Sequence, residues 1–475
     1  MPAICYPLWS LGALVLTAAG LLALSRFSFK RAPAPVFVAL FGAGVAAFFA
    51  LSWWIQGSTL HASAATERFA DLLRDAPTTA AWFTGVALLL WAGLVITAFE
   101  SDTHQEKTRR LFLVIISGIG GLSLVATGHL LVALAAWLLV STPLTLASAA
   151  KDLPSFRARA LIHVFLADAF SVTLISLGIA FLFAQYQTLS LDRLFEAIGG
   201  ESQSSDILLY TGTALWLAGL FARIGGVPFH MVVVERVGAG RLSIAGFASL
   251  FLAFSATGFA WTFAGEVLRP TLPQWQDFLS LMGVLTVWAG SLGMWVRPQW
   301  RTLIAYSLVA NGGWVLCALA ARGPASLEPE SFLFALVRSV ALLLIGFGAV
   351  VLERNSGKRA EEAMRGLWYS HPALAFVFLT GFLALASLPP VSGFASLTML
   401  LARISSDGLW FVAVLGGLST AVAAYPCVVW MGRIVTPGVI SPEWVFPGKW
   451  EIALLSVFAT ALWVLGFFPA TAWPG

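Results

Sequence analysis

Apolar residues run along this chain in blocks of about twenty, parted by short polar breaks, with no sustained two-residue alternation. A helix needs about 20 apolar residues to cross a bilayer, and the blocks parse into fourteen such spans: 7–25, 36–55, 80–99, 111–127, 129–149, 160–185, 206–234, 242–265, 275–296, 302–320, 331–352, 371–402, 409–433 and 450–470. The pattern predicts an all-α, polytopic membrane protein. The stretch 61–79, with Glu67, Arg68, Asp71, Arg74 and Asp75, reads as a short helix in water, and 189–198 reads as a second amphipathic piece. No loop is long enough for a separate catalytic domain, so residues 1–475 are expected to form a single membrane domain.

Two spans are interrupted in the same way. The seventh carries Ile224-Gly225-Gly226-Val227-Pro228-Phe229-His230, and the twelfth carries Leu388-Pro389-Pro390-Val391-Ser392-Gly393-Phe394. Proline lacks the backbone donor that the helix ladder needs and crowds the preceding turn. Helices broken at corresponding places in two halves are a mark of transporter folds built from inverted repeats. The expected organisation is therefore three N-terminal helices (7–110), a first five-helix repeat (111–265), a second, inverted one (275–433) and a C-terminal helix (450–470), with breaks at Pro228 and at Pro389, Pro390 and Gly393. An ordinary proline kink is the simpler alternative at each break.

Composition narrows the class. Hydrophobic residues make up 59% of the chain and charged residues 11%, with a mean hydropathy of +0.87. Soluble domains carry about 25% charged residues, so a soluble enzyme and a nucleic-acid binder are both excluded. The net charge of +4 says little about partners, but its distribution is informative. Of the 27 basic residues, 19 fall in odd-numbered loops, Arg236 and Arg241 among them. Even-numbered loops hold 6, and Arg223 and Arg338 lie inside spans. By the positive-inside rule the odd loops face the cytoplasm and both termini lie outside. Cys5, Cys317 and Cys427 stand far apart, with no spacing that suits a metal or a disulfide framework.

Ionisable groups inside a bilayer are costly and tend to be functional. Here they are few: His163 and Asp168 in the sixth span, Arg223 in the seventh and Arg338 in the eleventh. Asp168 is the sole carboxylate well inside a span. A histidine can carry a proton near neutral pH, so His163 and Asp168 form a candidate proton relay; hydration of His163 at the membrane boundary is the alternative. Arginine keeps its proton in practice. Arg223 and Arg338 are thus candidates to hold an anion or to gate electrostatically, or else to form structural ion pairs, Arg223 with Asp168 being the obvious one.

No phosphate-cradling loop, Cys-x-x-Cys, His-Glu-x-x-His or dinucleotide fingerprint occurs, so no metal or cofactor is expected on this chain. Several segments do resemble a known family. Gly219-Leu-Phe-Ala-Arg223-Ile-Gly-Gly-Val-Pro228-Phe-His230, Arg301-Thr-Leu-Ile-Ala-Tyr306-Ser307, Ala386-Ser-Leu-Pro389-Pro390-Val-Ser-Gly393-Phe394 and the Gly128-His129 to Pro143 span are similar to motifs of the antiporter-like membrane subunits of proton-pumping NADH-quinone oxidoreductase, most of all its subunit N branch. The resemblance runs over roughly residues 80–470 and implies a membrane-arm subunit in a bacterial inner membrane. Quinone reduction elsewhere in the complex would be coupled to proton movement here, with NADH, FMN and iron–sulfur clusters on other subunits. The departures are specific. Where the family carries a fifth-span glutamate, a sixth-span lysine, a seventh-span lysine and a twelfth-span lysine or glutamate, this chain has Leu138, His163, Arg223 and Leu397. Its own proton path is depleted on that comparison. Mrp cation/proton antiporters and the membrane subunit of DAB inorganic-carbon transporters share the resemblance, and they imply an ion-driven transporter, the latter with one large soluble zinc-binding partner.

Overall fold

The computed structural model describes residues 11–18, 77–99, 104–149, 155–200, 207–240, 242–264, 271–296, 299–321, 329–356, 360–437 and 449–467, with single positions at 39, 42, 44 and 46. The first two predicted spans and the expected 61–79 helix lie largely outside these residues. All regular structure among the described residues is helical. In chain order the main helices are α1 (Pro77–Phe99), α2 (His104–Ala126), α3 (Leu130–Ser148), α4 (Ser155–Tyr186), α5 (Leu191–Gly200), α6 (Ile207–Ile224), α7 (His230–Ala239), α8 (Leu242–Phe263), α9 (Leu272–Val296), α10 (Trp300–Ala320), α11 (Pro329–Ser356), α12 (Pro372–Leu385), α13 (Ser392–Ser406), α14 (Trp410–Val435) and α15 (Lys449–Phe467). Two helical turns, Ala360–Ala363 and Leu367–Ser370, stand between α11 and α12.

Ten of these helices are long and apolar enough to cross a membrane; α12 and the apolar part of α15 are shorter. The protein is a polytopic helical membrane protein. The amphipathic 189–198 piece is the short helix α5. The seventh and twelfth spans are each two helices rather than one kinked rod, because a left-handed residue ends the first half at Gly225 and at Ser387 and the prolines that follow cannot continue its ladder.

The described residues fall into two compact units, parted between Trp275 and Gln276. In the first, α4 lies along α6 and α2 along α3. Trp216 of α6 stacks on Phe263 of α8 with ring centres 3.8 Å apart. In the second, α11 packs on α12 and α13. Trp300 of α10 meets Phe378, Phe382 and Trp430 edge-on at 5.6–5.7 Å. Offset and edge-on aromatic contacts of this kind add about 0.5–1.5 kcal/mol beyond area burial.

Close approaches of backbone show that the two units share one register. A β-carbon on Gly120 would strike the backbone of Val140, and one on Gly290 the backbone of Ala310. One on Gly178 would strike Trp216, and one on Gly348 Phe378. One on Gly219 would meet Ile175 and the Ser171 carbonyl, and one on Gly381 Ile345 and, at 3.4 Å, the Ala341 carbonyl. Small residues at such points let membrane helices pack without a hydrophobic driving force between them. In this register Asp168 and Arg338 hold the same place, as do Ser141 and Asn311, and Arg223 and Leu385.

Candidate functional site: a buried charge cluster at the first helix break

Both breaks are closed by the same backbone device. After α6, Gly225 takes the left-handed conformation (φ 76°), and the Gly226 N–H donates to the Phe221 carbonyl at 2.7 Å. After α12, Ser387 takes that conformation (φ 51°). The Leu388 N–H there donates to Leu383 at 3.0 Å and the Ser387 N–H to Ala384 at 3.2 Å. This six-to-one closure satisfies carbonyls that a helix end otherwise leaves bare. The Val227–Pro228 and Pro389–Pro390 peptides that follow are cis. Thus Pro228 and Pro390 stand at matching places beyond the two caps, while Gly393 lies in the first turn of α13.

The first break carries the charge cluster. Arg223, in the last turn of α6, is 1% exposed, and Asp168, mid-way along α4, is 5% exposed. The Arg223 Nη1 donates to Asp168 Oδ1 at 3.0 Å, while its Nη2 donates to the Asp168 backbone carbonyl at 3.2 Å. That second nitrogen also reaches the Ser141 hydroxyl at 3.4 Å. The guanidinium lies over the Trp137 ring, 5.3 Å from its centre, an arrangement in which the ring face attracts the cation.

Arg236 is the residue that sequence reasoning misplaced. Counted above among the basic residues of a cytoplasmic loop, it belongs to the half-helix α7, is buried, and donates through Nη2 to the same Asp168 Oδ1 at 2.6 Å. Hydropathy sets the span to end near 234, but the break gives α7 its own start at His230 and carries Arg236 inward on the half-helix. The signal was available in the spacing: Arg236 falls six residues after His230, within reach of a helix restarted by Pro228. The Thr145 hydroxyl lies 3.4 Å from Asp168 Oδ2. The cluster therefore holds two guanidinium cations on one carboxylate. The Nε atoms of both arginines are buried without a hydrogen-bond partner among the described residues.

Other predicted site residues are not gathered there. His163 is exposed on α4, five residues before Asp168 and hence about 140° around the helix. It sits on a face with Ile162, Phe165, Leu166 and Phe170, all exposed. The structure does not bring His163 and Asp168 together. Arg338, in α11, is 2% exposed and donates through Nη1 to the Leu385 carbonyl at the end of α12, at 3.2 Å. It lies 5.3 Å over the Phe334 ring. No carboxylate pairs with it among the described residues, and its Nε has no partner there. Leu138 is half-exposed and Leu397 is buried. Among the described residues no three His, Cys, Asp or Glu side chains come together as a metal site would need.

Chemically, the first break is a fixed ionic knot. Charge-assisted hydrogen bonds from both arginines hold the Asp168 carboxylate in place, and desolvation leaves little room for either partner to separate alone. Two discontinuous helices with buried charge beside their breaks are the device on which one class of membrane folds, the inverted-repeat transporters, builds its sites. Within that class, residues 127–423 match the family described as NADH:quinone oxidoreductase/Mrp antiporter, TM, and the chain belongs to that family. Curated relatives include an NADH-quinone oxidoreductase subunit N of Salinispora arenicola, 28% identical over 80% of this chain and 76% of the relative. Another, of the same name, is from Nitrosomonas europaea, 25% identical over 84% and 82%. Solved structures with the same fold include a chain of respiratory complex I from Thermus thermophilus (21% identity, 97% of each chain, TM-score 0.77). They also include a chain of the Mrp complex from a Dietzia species (17% identity, 99% of this chain and 95% of that one, TM-score 0.81). A third belongs to an archaeal membrane-bound sulfane sulfur reductase (15% identity, 98% and 95%, TM-score 0.85).

Proposed function

We propose that this chain is a membrane-arm subunit, of the subunit N kind, in a respiratory NADH-quinone oxidoreductase of a bacterial cytoplasmic membrane. Its place would be among other membrane and peripheral subunits, which carry NADH, FMN and the iron–sulfur clusters and act on quinone. The names of the curated relatives, over three quarters and more of their length, support this reading. The single observation that carries the mechanism is the shared carboxylate: Asp168 is held at 2.6 and 3.0 Å by two arginines. A carboxylate so held is a poor proton carrier, because protonating it would strand two buried cations. Arginine itself does not release a proton at working pH. With Leu138 and Leu397 where the resemblance implies ionisable groups, this subunit transmits and stabilises the arm while its own proton path is reduced. His163, Arg223 and Arg338 then act by charge and position, and both termini lie outside, as the basic loops indicate.

A second reading, an ion-driven transporter subunit outside any redox complex, is favoured by one observation: the Mrp chain is as similar in fold as the complex I chain. Such a subunit would work with other antiporter subunits or with one large soluble zinc-binding partner. Purification of the tagged protein from native membranes in mild detergent, with co-purifying chains identified by mass spectrometry, separates the two. Recovery of NADH-oxidising peripheral subunits is the expected result. A single large soluble partner without redox subunits would overturn it.

A further inference from the structure

The second unit buries a cation where the first buries an acid, and four observations converge on what neutralises it. Arg338 is 2% exposed; it meets the Leu385 carbonyl and the Phe334 ring, the buried Cys427 thiol lies close by, and its Nε is unpartnered among the described residues. The N-terminus of α13 abuts the turn of α12 that Arg338 contacts, because a β-carbon on Gly393 would strike the backbone carbonyl of Ala384, next to Leu385. Val391, which caps α13, makes no side-chain cap bond, so the positive end of that fifteen-residue helix has no cap of its own, although α15 packs against one side of it at Gly466. Finally, a small cavity is lined by Val337 of α11, Ser392 and Ser396 of α13, Met399 and Leu465. Ser392 is 2% exposed, and its hydroxyl has no hydrogen-bond partner among the described residues. The cavity has room for about one water-sized body.

A buried positive charge needs an opposite charge, and a helix N-terminus with a free hydroxyl is a ready anion cradle; Val337 on the wall of the cavity is the neighbour of Arg338 in α11. We infer that the α12–α13 break of the second unit binds one small, singly charged inorganic anion of the chloride kind between Arg338, Ser392 and the first turn of α13. Size and wall chemistry select that class. Val337, Met399 and Leu465 offer no donors to satisfy the several oxygens of phosphate or sulfate, whereas a halide is little larger than water and is content with a hydroxyl, a guanidinium and an apolar wall. At the first break the negative charge is supplied by the chain itself, through Asp168. The inference holds whichever membrane machinery the chain serves.

The test uses the full-length protein in detergent, with thermal unfolding followed as sodium gluconate is replaced by sodium chloride at constant ionic strength. Mass action predicts that Tm rises with the logarithm of chloride above the dissociation constant. Chloride-36 should bind at one equivalent per chain and be displaced by bromide but not by gluconate. Ser392→Ala, which removes one donor and no volume of consequence, should weaken chloride binding severalfold. Arg338→Gln should abolish both the Tm dependence and the tracer binding. Equal Tm in the two salts together with no tracer binding overturns the site. So does chloride binding of wild-type strength in Ser392→Ala and Arg338→Gln, since the anion would then sit elsewhere. Should Arg338→Gln fail to fold, the wild type and Ser392→Ala decide the matter alone.

Discussion

The two helix breaks are built on one backbone plan and given opposite chemistry. At the first, α4 supplies Asp168 and the end of α6 supplies Arg223, with Arg236 of α7 completing the knot. At the second, the same place on α11 holds Arg338, and the place of Arg223 is taken by Leu385, which offers only its carbonyl. Repetition of a fold thus fixes where a polar group can be housed, not its sign. One half has its anion covalently in place; the other lacks a carboxylate partner among the described residues and leans on the negative end of a helix and an aromatic face.

That contrast predicts unequal costs. Asp168→Asn strips the shared carboxylate from two buried cations and should lower stability by about 3–5 kcal/mol, seen as a large drop in Tm or loss of folded protein in detergent. Removing the lone cation by Arg338→Leu leaves no stranded partner, so its Tm in gluconate should match or exceed the wild type. A fall comparable to that of Asp168→Asn would show that the two halves are not opposites.

The breaks also differ in how tightly their half-helices meet. Gly393 approaches a backbone carbonyl, which cannot move aside, whereas a β-carbon on Gly226 would meet the Phe221 side chain at 3.1 Å. Gly393→Ala should therefore cost about 1–3 kcal/mol by overpacking, and Gly226→Ala distinctly less, both read from thermal melts. The smallest effect lies in the caps. Ser387 holds a left-handed conformation that glycine adopts freely, as Gly225 does at the other break. Ser387→Gly should stabilise by up to about 1 kcal/mol, and Gly225→Ser should lose a similar amount.

Much of this was legible in the sequence. The helices α1 to α4 and α8 to α11 follow directly from runs of apolar residues, and both breaks follow from their Gly-Pro and Pro-Pro chemistry. The Asp168–Arg223 pair was visible as the obvious ion pair inside the spans. Arg236 escapes a hydropathy window, and only its place six residues after His230, on a helix restarted past Pro228, marks it. The five-residue spacing already sets His163 about 140° from Asp168 on α4, but only the packing of α6 shows which of the two faces is buried. The equivalence of Asp168 and Arg338 rests on the close helix contacts at Gly178, Gly219, Gly348 and Gly381, which no residue type announces by itself.

Under the proposed function the Asp168 cluster is a fixed charge rather than a proton carrier. The double variant Asp168→Asn with Arg236→Gln tests it most directly, since it removes the acid yet keeps the net charge of the site unchanged. The measurement is the number of protons moved per electron by the assembled complex in proteoliposomes. A ratio within error of the wild type, with full assembly, is the predicted result. A lower ratio with assembly and quinone reduction intact would show that Asp168 carries protons, and would contradict the account.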